Sequence, residues 1–226
     1  MGLKIIPDPI GRLGGGLSVV RGGAAAPVVL PWYLATGVAA ANCVAAYQPK
    51  GAADLATSFK NLVNAATHLL ASGDDAPTLD ADGWLCDSVN ARYLLSDIVV
   101  DTGNWSGIVR FSDAAAFSEL FGSNQANHQF LVKVHARYQN GVTAKTVTPA
   151  MTAGVLAIAG RNGYRDGVLD ATNLAAWSGT NTAPIYIGAI ANGTFILTGH
   201  ISAIAFYDVT LTADQVLAIS TAMAAL

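Results

Sequence analysis

The chain has 226 residues, of which 52% are hydrophobic and only 12% charged, and its formal net charge is −3. Lys and Arg are scattered and form no run, so the basic face that neutralises phosphates is missing and no nucleic-acid partner is expected. No apolar stretch reaches the ~20 residues of a membrane helix, so no membrane partner is expected either; so little charge leaves two accounts open, a surface packed against other subunits or an alanine-rich compositional bias.

In chain order, residues 1–31 come first and differ from the rest. Pro7, Pro9, Gly11, Gly14, Gly15, Gly16, Gly22, Gly23, Pro27 and Pro31 break any helix or long strand. The same stretch carries Ile5, Ile6, Ile10, Leu13, Leu17, Val19 and Val20, whereas a disordered linker would be polar. Apolar residues on an irregular backbone predict an extended N-terminal arm that docks onto a neighbouring subunit; an arm folded back on its own domain is the alternative. The Gly11–Gly16 cluster is no phosphate loop, because Gly-Lys-Ser/Thr is absent. Met1-Gly2-Leu3-Lys4 lacks a secretory n-region, so synthesis and assembly in a cytoplasm are expected.

From Trp32 to Leu226 the pattern is β. Val44–Tyr47, Gly83–Asp87, Tyr93–Leu95, Ser106–Phe111, Phe130–Tyr138 and Val155–Ala159 are short apolar runs bounded by Gly, Asn, Asp or Pro. Such regular short strands predict one sandwich or barrel. One segment conflicts: Leu55, Phe59, Leu62, Val63, Ala66, Leu69 and Leu70 sit at helical spacing, a pattern of about four helical turns. Asp166-Gly167 and Asn192-Gly193 read as hairpin turns. Ile185–Ile187 and Ile201–Tyr207 alternate as half-buried strands, and Thr212 offers a side-chain oxygen to cap a short C-terminal helix.

The chemistry of hydrolysis, metals and dinucleotides leaves few marks. Glu119 is the sole glutamate, whereas retaining glycoside hydrolysis needs two carboxyls about 5 Å apart; no enzymatic activity is expected. Asp74, Asp75, Asp80, Asp82 and Asp87 lie close together and calcium takes oxygen ligands, but an EF-hand would need Thr78 and Val89 at its first and twelfth positions. A solvated acidic loop is the expectation. His68, His128, His135 and His200 have no metal spacing, and no cofactor is implied. Cys43 and Cys86 are the only cysteines; buried free thiols are expected, with a single bridge as the alternative. Asn162, Tyr164, Arg165, Asp166 and Trp177, with Asn173 and Asn181 nearby, could supply the aromatic face and planar donors that sugars require. Asn124, Gln125, Asn127 and His128 form a second such set. For both sets the competing reading is core aromatics and turn asparagines.

Several stretches resemble the concanavalin A-like lectin/glucanase superfamily, in particular laminin-G-like modules of bacteriophage and prophage structural proteins. Gly83-Trp84-Leu85-Cys86-Asp87 with Ala91-Arg92-Tyr93-Leu94 looks like an early strand pair of that fold. Trp105–Ser112, Leu120-Phe121-Gly122-Ser123, Tyr164-Arg165-Asp166-Gly167, Ile185–Ala189, and Gly199–Tyr207 followed by Leu211–Val216 look like its later strands, in order. The resemblance spans residues 44–226. It implies an antiparallel jelly-roll β-sandwich, with the arm at residues 1–31 and a short C-terminal helix added. The glucanase Glu-x-Asp-x-Glu strand is absent, and that counts against hydrolysis. For Asp54–Leu70 the resemblance implies irregular strand and loop rather than helix.

The implied role is a virion structural protein, assembled in a bacterial host's cytoplasm. The arm would dock the sandwich to capsid, tail or baseplate subunits, and host-surface glycans are a second kind of partner. Phage appendages of this kind are often trimers, so a homo-oligomer is expected. A carbohydrate-binding adhesin is the alternative role, and a glycoside hydrolase the weakest.

Overall fold

The computed structural model describes residues 30–35, 37–100, 103–116, 118–123, 129–133, 137–141, 143–146, 151–172, 174, 181–190 and 195–226. The arm residues Ile5, Ile6, Ile10, Leu13, Leu17, Val19 and Val20 lie outside them, as do Trp177, Asn173, the 124–128 set and the Asn192-Gly193 pair.

The first described segment forms two short 3₁₀ turns, Trp32–Leu34 and Ala40–Asn42. Then come β1 (Cys43–Tyr47), α1 (Leu55–Ser58), β2 (Ala71–Ser72), β3 (Thr78–Asp80), β4 (Gly83–Cys86), β5 (Leu94–Val99) and β6 (Ser106–Ser112). They are followed by β7 (Glu119–Ser123), β8 (Gln129–Lys133), β9 (Arg137–Gly141), β10 (Thr143–Thr146), β11 (Gly154–Ala159), β12 (Asn162–Arg165) and β13 (Val168–Ala171). The chain ends with β14 (Pro184–Ile187), β15 (Gly199–Tyr207) and α2 (Ala213–Ala224). No helix among the described residues is long and apolar enough to cross a membrane.

Two sheets form an antiparallel sandwich. The first runs β13-β12-β11-β6-β15-β4-β3, and the second runs β10-β9-β8-β7-β14-β5-β2. Strand β15 is long enough to serve two neighbours on one side: Gly199–Ile201 pair with β4, while Ile204–Tyr207 pair with β1. Its other side pairs with β6, with a register shift between Ile201 and Ala203.

The shift sorts its side chains. Ile201, Ile204 and Phe206 enter the inter-sheet core with Trp84, Val109, Phe111, Leu94, Phe121, Phe130 and Ile187. Ala203, Ala205 and Tyr207 face a second core on the opposite side, with Ala46, Ala157, Ala159, Val216, Ile219, Met223 and Trp32. The first sheet is therefore buried on both faces, which is why its strands read as continuous apolar runs.

Helix α2 covers that outer face. Thr212 Oγ1 accepts from the Gln215 amide at 3.3 Å, and Gln215 Oε1 accepts from the Thr212 amide at 2.9 Å, a complete capping box. At the other end the Arg110 guanidinium of β6 donates to the Met223 carbonyl at 2.7 Å, placing a cation at the helix C-terminus. Small alanines beneath the helix let it sit close to the sheet.

Two expectations need correction. Phe130–Tyr138 is not one strand but the hairpin β8–β9, paired with Lys133 opposite Arg137. Asp54–Leu70 is neither a four-turn helix nor a strand: it is one helical turn, α1, followed by loop. The reason lies at the free edge of β1. Asn61, only 1% exposed, accepts from the Ala46 amide (3.1 Å) and the Val63 amide (3.0 Å) and donates to the Val44 carbonyl (3.1 Å). Leu62 then donates its amide to the Ala46 carbonyl at 2.8 Å. The segment caps a sheet edge, and those bonds outweigh the helical ones its spacing suggests. Leu55 and Phe59 still reach the main core, with Phe59 edge-on to Trp84 at 6.0 Å.

The Asp166-Gly167 turn is as the sequence suggests. Arg165 pairs with Val168 across a two-residue loop whose φ values are 48° and 81°, the double left-handed conformation of a type I′ turn. Cys43 and Cys86 are both buried and free.

Candidate functional site

Among the described residues, the hairpin residues singled out for sugar binding do not gather on one surface. Tyr164 is 4% exposed and packs in the second core under α2. Strand alternation puts Asn162 on the same side as Tyr164 and Arg165 on the other. Arg165 Nη2 lies 3.4 Å from Asp170 Oδ2, and Asp170 lies 3.0 Å from the buried Tyr138 hydroxyl. Asp166 is exposed, but its Oδ1 accepts from the Val155 amide at 2.8 Å, fastening the hairpin to β11. Asn181 is buried at 1% and donates to Ser123 Oγ at 3.1 Å. Tyr164, Arg165, Asp166 and Asn181 thus each have a structural task, and the Tyr164 ring offers no open face to a ligand.

The sole glutamate is also committed. Glu119 on β7 and Lys133 on β8 are cross-strand neighbours and form an ion pair, and the Lys133 ammonium lies 4.4 Å above the Phe195 ring. The acidic stretch 74–87 uses its carboxylates locally. Asp80 Oδ1 accepts from the Asp82 amide at 2.8 Å, and Asp87 Oδ1 from the Val89 amide at 2.8 Å. No group of three or more His, Cys, Asp or Glu among the described residues could hold a metal ion.

His200, on the outer face of the first sheet, joins two aspartates. Nε2 lies 2.9 Å from Asp80 Oδ2 and Nδ1 3.4 Å from Asp113 Oδ2. This node ties the β3–β4 turn to the ends of β15 and β6. For the Asp80 carboxyl the desolvating surroundings push its pKa up, but the Asp82 amide and His200 outweigh them, and the net value falls below the ordinary one.

A solvent-facing cleft opens elsewhere, where the chain leaves β1 and returns past it. Its volume is about 220 Å³, and Gln48, Lys50, Thr57, Ser58, Lys60 and Leu62 line it. Both walls are held. On one, Lys50 donates its amide to the Ser202 carbonyl at 3.3 Å, and Ala52 closes a turn onto Pro49 at 2.9 Å. Gly51 takes φ 82° in that turn, which favours glycine. On the other, Ser58 Oγ accepts from the core Trp84 indole at 2.7 Å, and Asn61 anchors the segment directly after Lys60. The lining carries two cations, two hydroxyls and an amide, and no carboxylate. Sequence reasoning missed this cleft: its lysines come from unrelated loops, and no spacing rule joins them.

No family model matches the chain, and no curated protein matches it. Solved structures do. Domain 4 of AbnA, an extracellular GH43 arabinanase from Geobacillus stearothermophilus, solved in complex with arabinotriose, aligns with a TM-score of 0.52 at 15% identity, covering 79% of this chain and 98% of that one. Trypanosoma rangeli sialidase aligns with a TM-score of 0.52 at 12% identity, over 84% of this chain and 34% of the sialidase. Its covalent complex with 2,3-difluorosialic acid gives 0.53 at 11% identity, over the same shares. This chain therefore spans about a third of the sialidase. The likeness is one of fold: a two-sheet antiparallel β-sandwich of the lectin-like kind, compatible with the concanavalin A-like architecture.

Proposed function

We propose that this chain is a non-enzymatic carbohydrate-binding β-sandwich. The observation that carries the reading is the agreement of its architecture, over nearly the whole of the neighbour, with a domain whose structure holds arabinotriose. The donor-lined cleft supports it, since sugar hydroxyls and acidic groups are bound by such polar side chains. The commitment of Glu119 to Lys133 supports the non-catalytic part. A glycan array probed with the full chain tests it: saturable retention of a defined glycan set is expected, with no new reducing ends in the supernatant. An empty array, or release of reducing ends, would overturn it.

A finer setting is favoured by a separate observation, the apolar Gly/Pro-rich residues 1–31. In that setting the protein is a virion structural component of a phage or phage-like particle. Its arm docks to capsid, tail or baseplate, and it works as a homo-oligomer that contacts host-surface glycans. Deleting residues 1–31 leaves in place Trp32, which among the described residues packs in the second core with α2. The truncated protein is expected to fold but not to join the particle; normal incorporation would refute the docking role.

A further inference from the structure

We infer that the cleft between the Pro49–Ala52 turn and the Thr57–Leu62 segment is a subsite for an acidic sugar, holding its carboxylate or sulfate ester between Lys50 and Lys60. This rests on the carbohydrate-binding reading above and adds the site and the ligand class.

Charge comes first. The chain is net negative and has 12 Lys and Arg in all, yet two of them line one cleft of about 220 Å³. Among the described residues neither ammonium has a carboxylate within 4.0 Å, whereas Lys133 and Arg165 do. The nearby Asp54 carboxylate is occupied as the α1 cap, accepting from the Thr57 amide at 2.7 Å. Two like charges on one cleft raise each other's cost; the Asp54 carboxylate offsets part of it at Lys60, and an anion held in the cleft would offset the rest.

Rigidity comes second. Lys50 hangs from a turn bonded to β15, and Lys60 adjoins the buried Asn61. The two backbone positions are set before a ligand arrives, so binding has only the side-chain freedom of the lysines left to order.

Size and lining come third. The volume lies below the ~300–1,000 Å³ of drug-sized pockets, so the cleft suits one sugar unit rather than a chain of them. Thr57 can accept from a sugar hydroxyl, whereas the Gln48 amide is already held by the Trp32 indole (3.0 Å) and the Lys50 carbonyl (3.3 Å); Leu62, 46% exposed, offers an apolar wall to ring C–H groups. No aromatic platform lines it. Affinity then comes from charge, so it is weak for a single unit and falls with salt. A nucleic acid is disfavoured, because two lysines on an acidic protein make no basic stripe.

The test is an amide-resolved NMR titration of the full chain with sodium glucuronate, glucose 6-sulfate, glucose and sodium sulfate, all at constant ionic strength. Glucuronate and glucose 6-sulfate are expected to shift the Lys50, Gly51, Thr57 and Lys60 amides saturably, at least tenfold more tightly than glucose. K50Q/K60Q should weaken that response at least tenfold, with K60Q alone as a milder check; neither ammonium makes a hydrogen bond among the described residues, so the fold should survive. An equal response to glucose, unchanged affinity in the variants, or sulfate binding as tightly as the sugar sulfate (an adventitious ion only) would overturn the inference. Neutral glycans retained equally by wild type and K50Q/K60Q would sink the acidic subsite and leave the carbohydrate-binding reading standing. Absence of any glycan binding by the wild type would sink both.

Discussion

Asn61→Ala should destabilise this protein far more than an asparagine in a loop ordinarily would. The side chain makes three hydrogen bonds at the free edge of β1, two of them to the backbone of β1 itself. Ala46 is fully buried and faces β15 with neither its amide nor its carbonyl; both turn outward, to Asn61 and Leu62. Removing the amide orphans the Ala46 N–H and the Val44 carbonyl. Orphaning the fully buried Ala46 N–H costs ~1–3 kcal/mol, and the bonds to the half-buried Val44 and Val63 are worth ~1 kcal/mol each. The sum is about 3–5 kcal/mol, a large share of the ~5–15 kcal/mol typical of a native fold.

With a urea slope of about 2–3 kcal/mol/M, the unfolding midpoint should fall by about 1–2 M. Hydrogen exchange should also expose the Ala46 amide selectively. Asn61→Leu separates polarity from volume: it fills the space but leaves the same groups orphaned, so it should be no more stable than Asn61→Ala. A midpoint shift worth less than ~1 kcal/mol, or restoration by leucine, would refute the edge-cap account.

Two further outcomes follow from the described geometry. Thr212→Ala removes half of the α2 capping box and should cost about 1 kcal/mol, lowering the melting temperature by about 2–4 °C; an unchanged melting curve would mean that packing on the sheet alone holds the helix start. Burial raises the Cys43 and Cys86 thiols to about 12. The folded state therefore holds protons that the unfolded chain releases near pH 8.5. Stability should be full below that pH and fall toward pH 12, by up to ~1.4 kcal/mol per unit per thiol. A thiol reagent at pH 8 should label neither cysteine until denaturant is added, and prompt labelling of the native protein would contradict the burial.

The end of the chain was legible because local and global signals agree there. The strand at Ile201–Tyr207 and the helix cap at Thr212 both survive in the fold, although the strand is buried on both faces rather than half-buried and a register shift after Ile201 interrupts its alternation. The Asp166-Gly167 turn was legible for a similar reason: its two left-handed residues are what such a pair supplies. The β8–β9 hairpin was not legible, because Val134-His135-Ala136 between its strands holds no Gly, Pro or Asn and the apolar pattern continues through it. The 54–70 segment misled for a different reason. Helical spacing is a local signal, while Asn61 answers a distant need, the unpaired edge of β1. Tyr164 failed as a ligand platform because alternation says which residues share a face, but not which face a helix will later cover. The Lys50–Lys60 cleft depends on the chain returning past β1, a tertiary fact with no local trace.

The low charge of the chain takes on a different weight once the two cores are seen. From composition alone it suggested either a surface buried against neighbours or an alanine bias. Yet Ala46, Ala157, Ala159, Ala203 and Ala205 are all at most 1% exposed, packed between the first sheet and α2. A sheet covered on both faces needs apolar residues at both parities of each strand, and small ones where a helix must approach closely. Much of the hydrophobic fraction is thus consumed inside one protomer. Low charge then no longer argues for subunit packing, and the case for docking rests on residues 1–31 alone. Truncation at residue 31 is therefore the decisive measurement for the particle-bound setting, whereas the carbohydrate-binding reading can be tested without it.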